Sequence, residues 1–450
     1  MKKVLSCSKY LFLFLFFFVS LVVFFNIQRG DTYVNFGFSY AISRGEIPYL
    51  DFNLVIPPLA PYLYSIFLFF SKSILVFYLE QALLLTILFY FLFTMYGKKT
   101  WLYLILLCIS FPISMSSVLF PGYNFLLLFF LVILFYCEKQ QKSDILVGVL
   151  LGCCFLTKQT VGGLLLLASI YYLFVDYKKF FVRILGFCIP VICALILFFI
   201  QGNLVQFFDL CFLGLFDFGH DNFSYESFYV VLFVISMIFL VIRIIKKPKD
   251  IKNYYVLLFS SCVYPIIDYY HVSLFLAVFL LLLLEDINIK RDIALHCIIF
   301  SLALSFIWLG VEKLSIHHMI FVNYTNFPYS IVSYSYDERF QKLENYVKKL
   351  DSSVVFFLRG SENYFYKIKN NLDITYFDLP NYGNYGYDGI HKMIKMIQQE
   401  KESYFVIDRE AYQSKSSAQQ YMKEAVKYII NHGKLVKKFD FYEIYYLEGE

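Results

Sequence analysis

The stretch ILVFYLEQALLLTILFYFLFTM, residues 74–95, is one of a series of apolar runs that continues from residue 10 to residue 310. A helix needs roughly 20 apolar residues to cross the hydrocarbon core of a bilayer. Runs approaching that length, allowing polar ends, fall at 10–26, 74–95, 101–119, 123–137, 145–157, 160–175, 181–201, 226–245, 254–270, 272–284 and 293–310. They predict a polytopic α-helical membrane protein with about eleven spans, some of them tilted, broken or re-entrant. The aromatic content agrees, because 54 Phe and 40 Tyr in 450 residues exceed what a soluble chain of this length carries. Lys2, Lys3 and Lys9 precede the first run as in a signal peptide. No small-residue cleavage site follows and further runs do, so a retained signal anchor is expected.

Lysine and arginine set the orientation of such a chain. With the N-terminus cytoplasmic, one set of loops carries seventeen cations: Lys2, Lys3, Lys9, Lys98, Lys99, Lys139, Lys142, Lys178, Lys179, Arg183, Arg243, Lys246, Lys247, Lys249, Lys252, Lys290 and Arg291. The opposite loops up to residue 320 carry five: Arg29, Arg44, Lys72, Lys158 and Lys313. This bias predicts a multi-pass protein of the plasma or inner membrane with its C-terminal segment outside. It also accounts for the net charge of +5 without a nucleic-acid partner. All ten cysteines precede residue 298, mostly within apolar runs, and the adjacent pair Cys153 and Cys154 has no metal spacing.

Composition changes near residue 315, dividing a multispanning domain, 1–315, from a small extracytoplasmic α/β domain, 316–450. Within the latter, helices are expected at 337–350, 362–369, 389–400 and 417–431, and strands at 354–358, 374–378, 404–408 and 439–447. The loop NYGNYGYDG, 381–389, lacks the glycine spacing of a dinucleotide site and reads as a strand-to-helix turn requiring positive φ.

Polar residues gather where the runs reach the outer boundary. Asp31, Arg44, Glu46 and Asp51 lie in the first external loop, 27–57. Tyr123 and Asn124 open the fourth run, Lys158 and Gln159 lie between the fifth and sixth, and Asp268 and His271 end the ninth. Lys158 breaks the positive-inside pattern, so an anion is its expected partner, and a phosphate at headgroup depth suits a compact ammonium. Snorkelling to ordinary headgroups is the competing account. Asp31 could cap a helix that Gly45 ends, with Tyr33, Phe36, Phe38 and Tyr40 supplying an interfacial aromatic face. Asp51 could be a turn acid beside Pro48, and Pro57-Pro58 opens a further short helix.

The combination Asp31-x-Tyr33, Ala41-x-x-x-Gly45-x-x-Pro48-Tyr49-x-Asp51-Phe52 and Pro57-Pro58-Leu59-x-x-Tyr62 resembles the first external loop of GT-C glycosyltransferases. In particular it is similar to bacterial proteins of the protein O-mannosyltransferase and lipid A aminoarabinose transferase kind. Lys158-Gln159-Thr160 and Pro265…Asp268-Tyr-Tyr-His271 match later, weaker pieces, so the resemblance covers about residues 8–310. It implies an inverting enzyme that moves sugar from a polyprenyl-phosphate donor to an envelope glycan, lipid or protein acceptor outside the cytoplasm. It makes Asp31 the general base, with Lys158, Gln159, Arg44 and His271 toward the donor phosphate. Tyr33, Asp51, Tyr123, Asn124 and Asp268 are then substrate-binding. Thr32 stands where many relatives have a second acid, and PIID stands where an arginine often precedes the aspartate. Asp31, Asp51 and His271 could ligate a divalent cation, but their spacing demands none, and no cofactor is expected. A glycolipid flippase would place polar groups through the midplane, and a polymerase or ligase would have large arginine-rich external loops; neither pattern is present.

Overall fold

The computed structural model describes residues 2–22, 30–110, 120–221, 223–286, 319–328, 330–350, 353–358, 360–379, 383–400, 402–413, 423–439 and 441–448. The chain divides into two compact units. The first comprises Met1–Phe25, Phe77–Leu197 and Tyr225–His317, and the second Asn26–Val76, Phe198–Ser224 and His318–Glu450.

The chain is mostly helical, with a small C-terminal sheet. The expectation of about eleven spans is met only in part. Among the described residues three helices are long and apolar enough to cross a membrane: Ile74–Tyr96, Tyr177–Gln201 and Ser227–Lys246. Within the described residues the other runs form helices, but several break or stop early. Asp144–Thr157 has 14 residues. The run 160–175 splits into Gln159–Leu167 and Ile170–Val175. The run 254–270 leaves the α-helix at Phe259, tightens into the 3₁₀ turn Ser260–Val263 and meets Pro265, whose missing N–H cannot continue a helix. The run 293–310 and the second half of 101–119 lie outside the described residues.

Apolar surface is disposed differently from helix to helix in the first unit. Tyr123–Lys139 buries eleven of its residues, so it is enclosed by protein on all sides. Tyr177–Gln201 and Ser227–Lys246 bury only 11% and 17% of their most apolar windows and leave Phe181, Leu185, Phe228 and Ile245 bare. Such faces belong against lipid. Arg183 is an exception to the apolar rule: it is buried, donating to Glu138 at 2.6 and 3.1 Å and to Asp144 at 2.8 Å, with the Tyr172 ring 4.1 Å from its guanidinium. A buried charge is tolerable only when paired in this way.

The second unit has its own core. A four-stranded sheet runs in the order Val354–Phe357, Ser403–Asp408, Tyr442–Leu447, Lys434–Lys438. The first pair is parallel (Val354 opposite Tyr404) and the others antiparallel (Ser403 opposite Leu447, Lys434 opposite Tyr446). Alternate residues Val355, Phe357, Phe405 and Ile407 point into one core. There they meet Met393 and Ile397 of the helix Gly389–Gln399 and Val426 and Ile429 of Lys423–His432. The spacing of those apolar residues, four apart on one helix and three apart on the other, places each pair on one helical face. Lys434–Lys438 is an exposed edge strand whose lysines deter further pairing.

Two expectations for this region are corrected. Residues 374–378 form no strand: Thr375 and Asp378 make a reciprocal capping box around the turn Tyr376–Asp378. The buried Asp378 carboxylate then pairs with Lys367 at 2.6 Å, which fixes the turn. The expected last strand is the second arm of a hairpin whose first arm, Lys434–Lys438, was not anticipated. The expected helix 417–431 is found from Lys423, its earlier residues lying outside the described set. The loop 383–389 is the expected positive-φ turn, with φ of 87° at Gly383 and 73° at Gly386. Gly386 needs more than its φ, because a Cβ there would strike the Asp209 carboxylate. That carboxylate accepts from Tyr387 N–H at 3.0 Å and Asp217 accepts from Gly389 N–H at 3.4 Å, so the loop's donors are occupied by the chain's own acids.

Candidate functional site

The residues singled out from sequence fall into two groups, one in each unit. In the first unit, Lys158 is the single extended residue between the helices Asp144–Thr157 and Gln159–Leu167, with φ −151° and ψ 99°. The sequence FLTKQTVGG makes this hairpin possible. Gly162 lies against the backbone of Cys154 and Phe155 so closely that no Cβ would fit, and its N–H donates to the Lys158 carbonyl at 2.9 Å.

The Lys158 Nζ donates to Asn124 Oδ1 at 3.3 Å and lies 5.6 Å from the centre of the Tyr123 ring. Asn124, itself buried, donates from Nδ2 to the Tyr270 hydroxyl at 2.8 Å. Next to Tyr270, His271 Nδ1 is 2.8 Å from Asp268 Oδ1, and the His271 backbone N–H donates to the same oxygen at 2.9 Å. Asp268 therefore caps the helix Tyr269–Asp286 and holds the imidazole with one carboxylate. Gln159 is buried as the first residue of its helix.

The consequence is electrostatic. Two helices begin here without a side-chain cap, at Tyr123 and Gln159, and such starts carry partial positive charge and unpaired N–H groups; a third, at Tyr269, has its start capped by Asp268. Lys158 adds a charge that makes no ion pair among the described residues, although the Asp268 carboxylate is near enough to attract it. Tyr270 is not among the residues that the sequence singles out, although it stands between Asp268 and His271.

In the second unit, the helix Gly30–Arg44 carries Asp31 in its first turn; the Asp31 side chain lies outside what the structure describes. Gly45 follows with φ 96°, ending the helix as expected. Asp31 and Arg44 are thirteen residues apart on one helix, about 20 Å at 1.5 Å per residue, so Arg44 does not share a phosphate with Asp31. Arg44 is engaged elsewhere, with Asp373 at 2.5 Å, the Asn371 carbonyl at 2.8 Å and Glu46 at 3.7 Å. Tyr33 is a core residue rather than a binding surface, with its ring centroid 5.3 Å from Phe327 and 5.4 Å from Phe365.

Asp51 is exposed, and its carboxylate accepts from Ile47 N–H at 2.6 Å, the turn role weighed from sequence. It also lines a cavity of about 740 Å³ together with Arg44, Glu46, Lys367, Asp373 and Glu400. The turn 45–53 is stitched to the wall opposite by the Tyr376 hydroxyl, which donates to the carbonyls of Tyr49 (2.8 Å) and Leu50. Burial beside Asp373 raises the Glu46 carboxyl to about 7, despite the opposing pull of Arg44. Among the described residues, no group of three His, Cys, Asp or Glu is placed to hold a metal ion. Comparison with family models, with characterised proteins and with solved structures gives no match.

Proposed function

We propose that this chain is an integral-membrane, inverting glycosyltransferase with a GT-C-like, many-span architecture. It moves a sugar from a polyprenyl-phosphate donor to an acceptor hydroxyl outside the cytoplasm. The observation that carries the reading is Lys158, aligned by Asn124 and Tyr123 where three helices begin. The first-loop resemblance around Asp31 supplies the second half of the reaction.

In this mechanism Asp31 accepts the proton of the acceptor hydroxyl as its oxygen attacks the anomeric carbon. The new C–O bond forms on the face opposite the lipid phosphate, and the anomeric configuration inverts. The bond from the anomeric carbon to the phosphate oxygen breaks, and its electron pair leaves with the polyprenyl phosphate. Charge grows on that phosphate during the step, where Lys158 and the adjacent helix starts stabilise it. His271, which Asp268 orients, and Gln159 are assigned to the same phosphate by the resemblance. No covalent sugar–enzyme intermediate is required, so one carboxylate suffices.

The test is transfer from a radiolabelled polyprenyl-phosphate sugar by the purified full chain. Asp31→Asn is expected to lower the rate by about 10²- to 10⁴-fold, the ordinary contribution of a general base. Lys158→Met is expected to lower it by about 10²- to 10³-fold, as for loss of one oxyanion stabiliser. Both variants should insert and melt as the parent does. Full activity of Asp31→Asn would remove that residue from the mechanism.

A further inference from the structure

The cavity beside Arg44 lies within the second unit and takes no part in the step just described. Its walls are the segment 44–51, the start of the strand Val354–Phe357, the region 367–377 and the end of the helix Gly389–Gln399. Two cations reach it, and both are already paired: Arg44 with Asp373 at 2.5 Å, and Lys367 with the buried Asp378 at 2.6 Å. Three further carboxylates line it, on Glu46, Asp51 and Glu400. Among the described residues, Asp51 and Glu400 form no ion pair, and Glu46 has only the 3.7 Å approach of an arginine that Asp373 already holds.

Glu46 is the telling residue. Both of its oxygens are buried, and neither makes a well-formed hydrogen bond; the Ile374 N–H and Arg44, 3.7 Å away, are the groups that draw its charge. A carboxylate in that position costs free energy unless some group arrives to bond it. The cavity's charge decides what that group can be. A phosphate or uronate would meet uncompensated carboxylates, and an apolar ligand would desolvate them. Hydroxyls and ammonium groups would donate to them, and Tyr376 and Phe377 add aromatic surface to the same wall.

We infer that this cavity is an acceptor subsite for a hydroxyl-rich oligosaccharide that is uncharged or amine-bearing. The inference rests on the proposed transferase activity and narrows its acceptor. Asp31 lies at the far end of the helix that ends in Arg44, about 20 Å away. The sugar seated at Glu46 is therefore not the one receiving the transfer. The acceptor is a glycan chain long enough to reach from one point to the other.

The experiment measures binding of three fluorescent tetrasaccharides to the full chain in detergent, with no donor present. The probes are an N-acetylglucosamine tetramer, its de-N-acetylated cationic counterpart and a galacturonate tetramer. Saturable binding of the first two, with the uronate weaker by about tenfold or more, supports the subsite. An arriving ammonium favours the ionised form of Glu46, so at about pH 7 Glu46→Gln is expected to weaken the cationic probe by about tenfold, the loss of one charge-assisted contact. Glu400→Lys, a change at the helix end, is expected to shift preference toward the uronate, which misfolding could not do. Equal binding of all three probes, or none by any, overturns the inference. Asp31→Asn should bind the probes like the parent. Probe binding by a chain that transfers no sugar would sink the transferase reading and leave the subsite standing; transfer without probe binding would do the reverse.

Discussion

Glu46 shows how one side chain can couple pH to stability. Arg44 faces it from its own segment, and Asp373, Lys367 and Tyr364 face it from C-terminal segments. Burial raises its carboxyl from 4.5 to about 7 in the folded chain, so the folded state keeps a proton that the unfolded state releases. Folding stability therefore falls as pH rises from 4.5 to about 7 and then levels off. Glu46→Gln cannot ionise and lacks this dependence. Melting of the two chains between about pH 4 and about pH 8 should show the variant gaining on the parent as pH rises. A constant difference would mean that Glu46 ionises as it does in water. The sequence showed Glu46 within GEIPYLDF but gave no reason to single it out. Its environment comes from Asp373, and the ion pair that places Asp373 there joins residues 329 positions apart. No local pattern encodes such a partner. Asp51, by contrast, was legible as a turn acid because its partner is the Ile47 amide, four residues away.

Elements were most legible where a single period governs them. The runs at 74–95, 181–201 and 226–245 appear as Ile74–Tyr96, Tyr177–Gln201 and Ser227–Lys246, since an uninterrupted apolar run has little alternative to a helix. Breaks were harder to see, because apolarity does not mark them. Ala168 and Ser169 interrupt one run and the turn Ser260–Val263 another, without any charged residue to announce the change. The turn at Thr375 and Asp378 failed differently: β-rich composition pointed to a strand, and a side-chain capping box with a buried lysine prevailed. The hairpin around Lys158 offers the sharpest test of an element. A Cβ at Gly162 would overlap the backbone of Phe155, whereas one at Gly163 would meet only the Phe155 ring, at 3.7 Å. Gly162→Ala should destabilise the full chain by about 1–3 kcal/mol, as overpacking does. It should also slow sugar transfer by displacing Lys158, while Gly163→Ala leaves the melting temperature near that of the parent. Equal melting of the two variants would mean that the hairpin has room for a Cβ at Gly162.

At the scale of the whole molecule, the proposed chemistry depends on sidedness. A polyprenyl-phosphate sugar used outside the cytoplasm requires Asp31 to face outward. The helix bearing Asp31 belongs to the same compact unit as the edge strand Lys434–Lys438. The accessibility of that strand's lysines therefore reports the side on which the catalytic helix lies. Lys434, Lys437 and Lys438 are exposed, as are Lys246 and Lys249 at the end of the apolar helix Ser227–Lys246 and just beyond it. The cation bias assigns these two sets to opposite faces of the membrane. A membrane-impermeant amine reagent applied to intact cells, or to spheroplasts where an outer membrane blocks it, should modify the 434–438 lysines. It should reach Lys246 and Lys249 only after lysis, with peptide mass spectrometry reading both sets from one sample. The reverse pattern would turn the chain over and place Asp31 on the cytoplasmic side. Modification of both sets before lysis would show that the helices do not seal them apart. Either result would remove the outward-facing donor from the mechanism, however well Lys158 is placed to hold a phosphate.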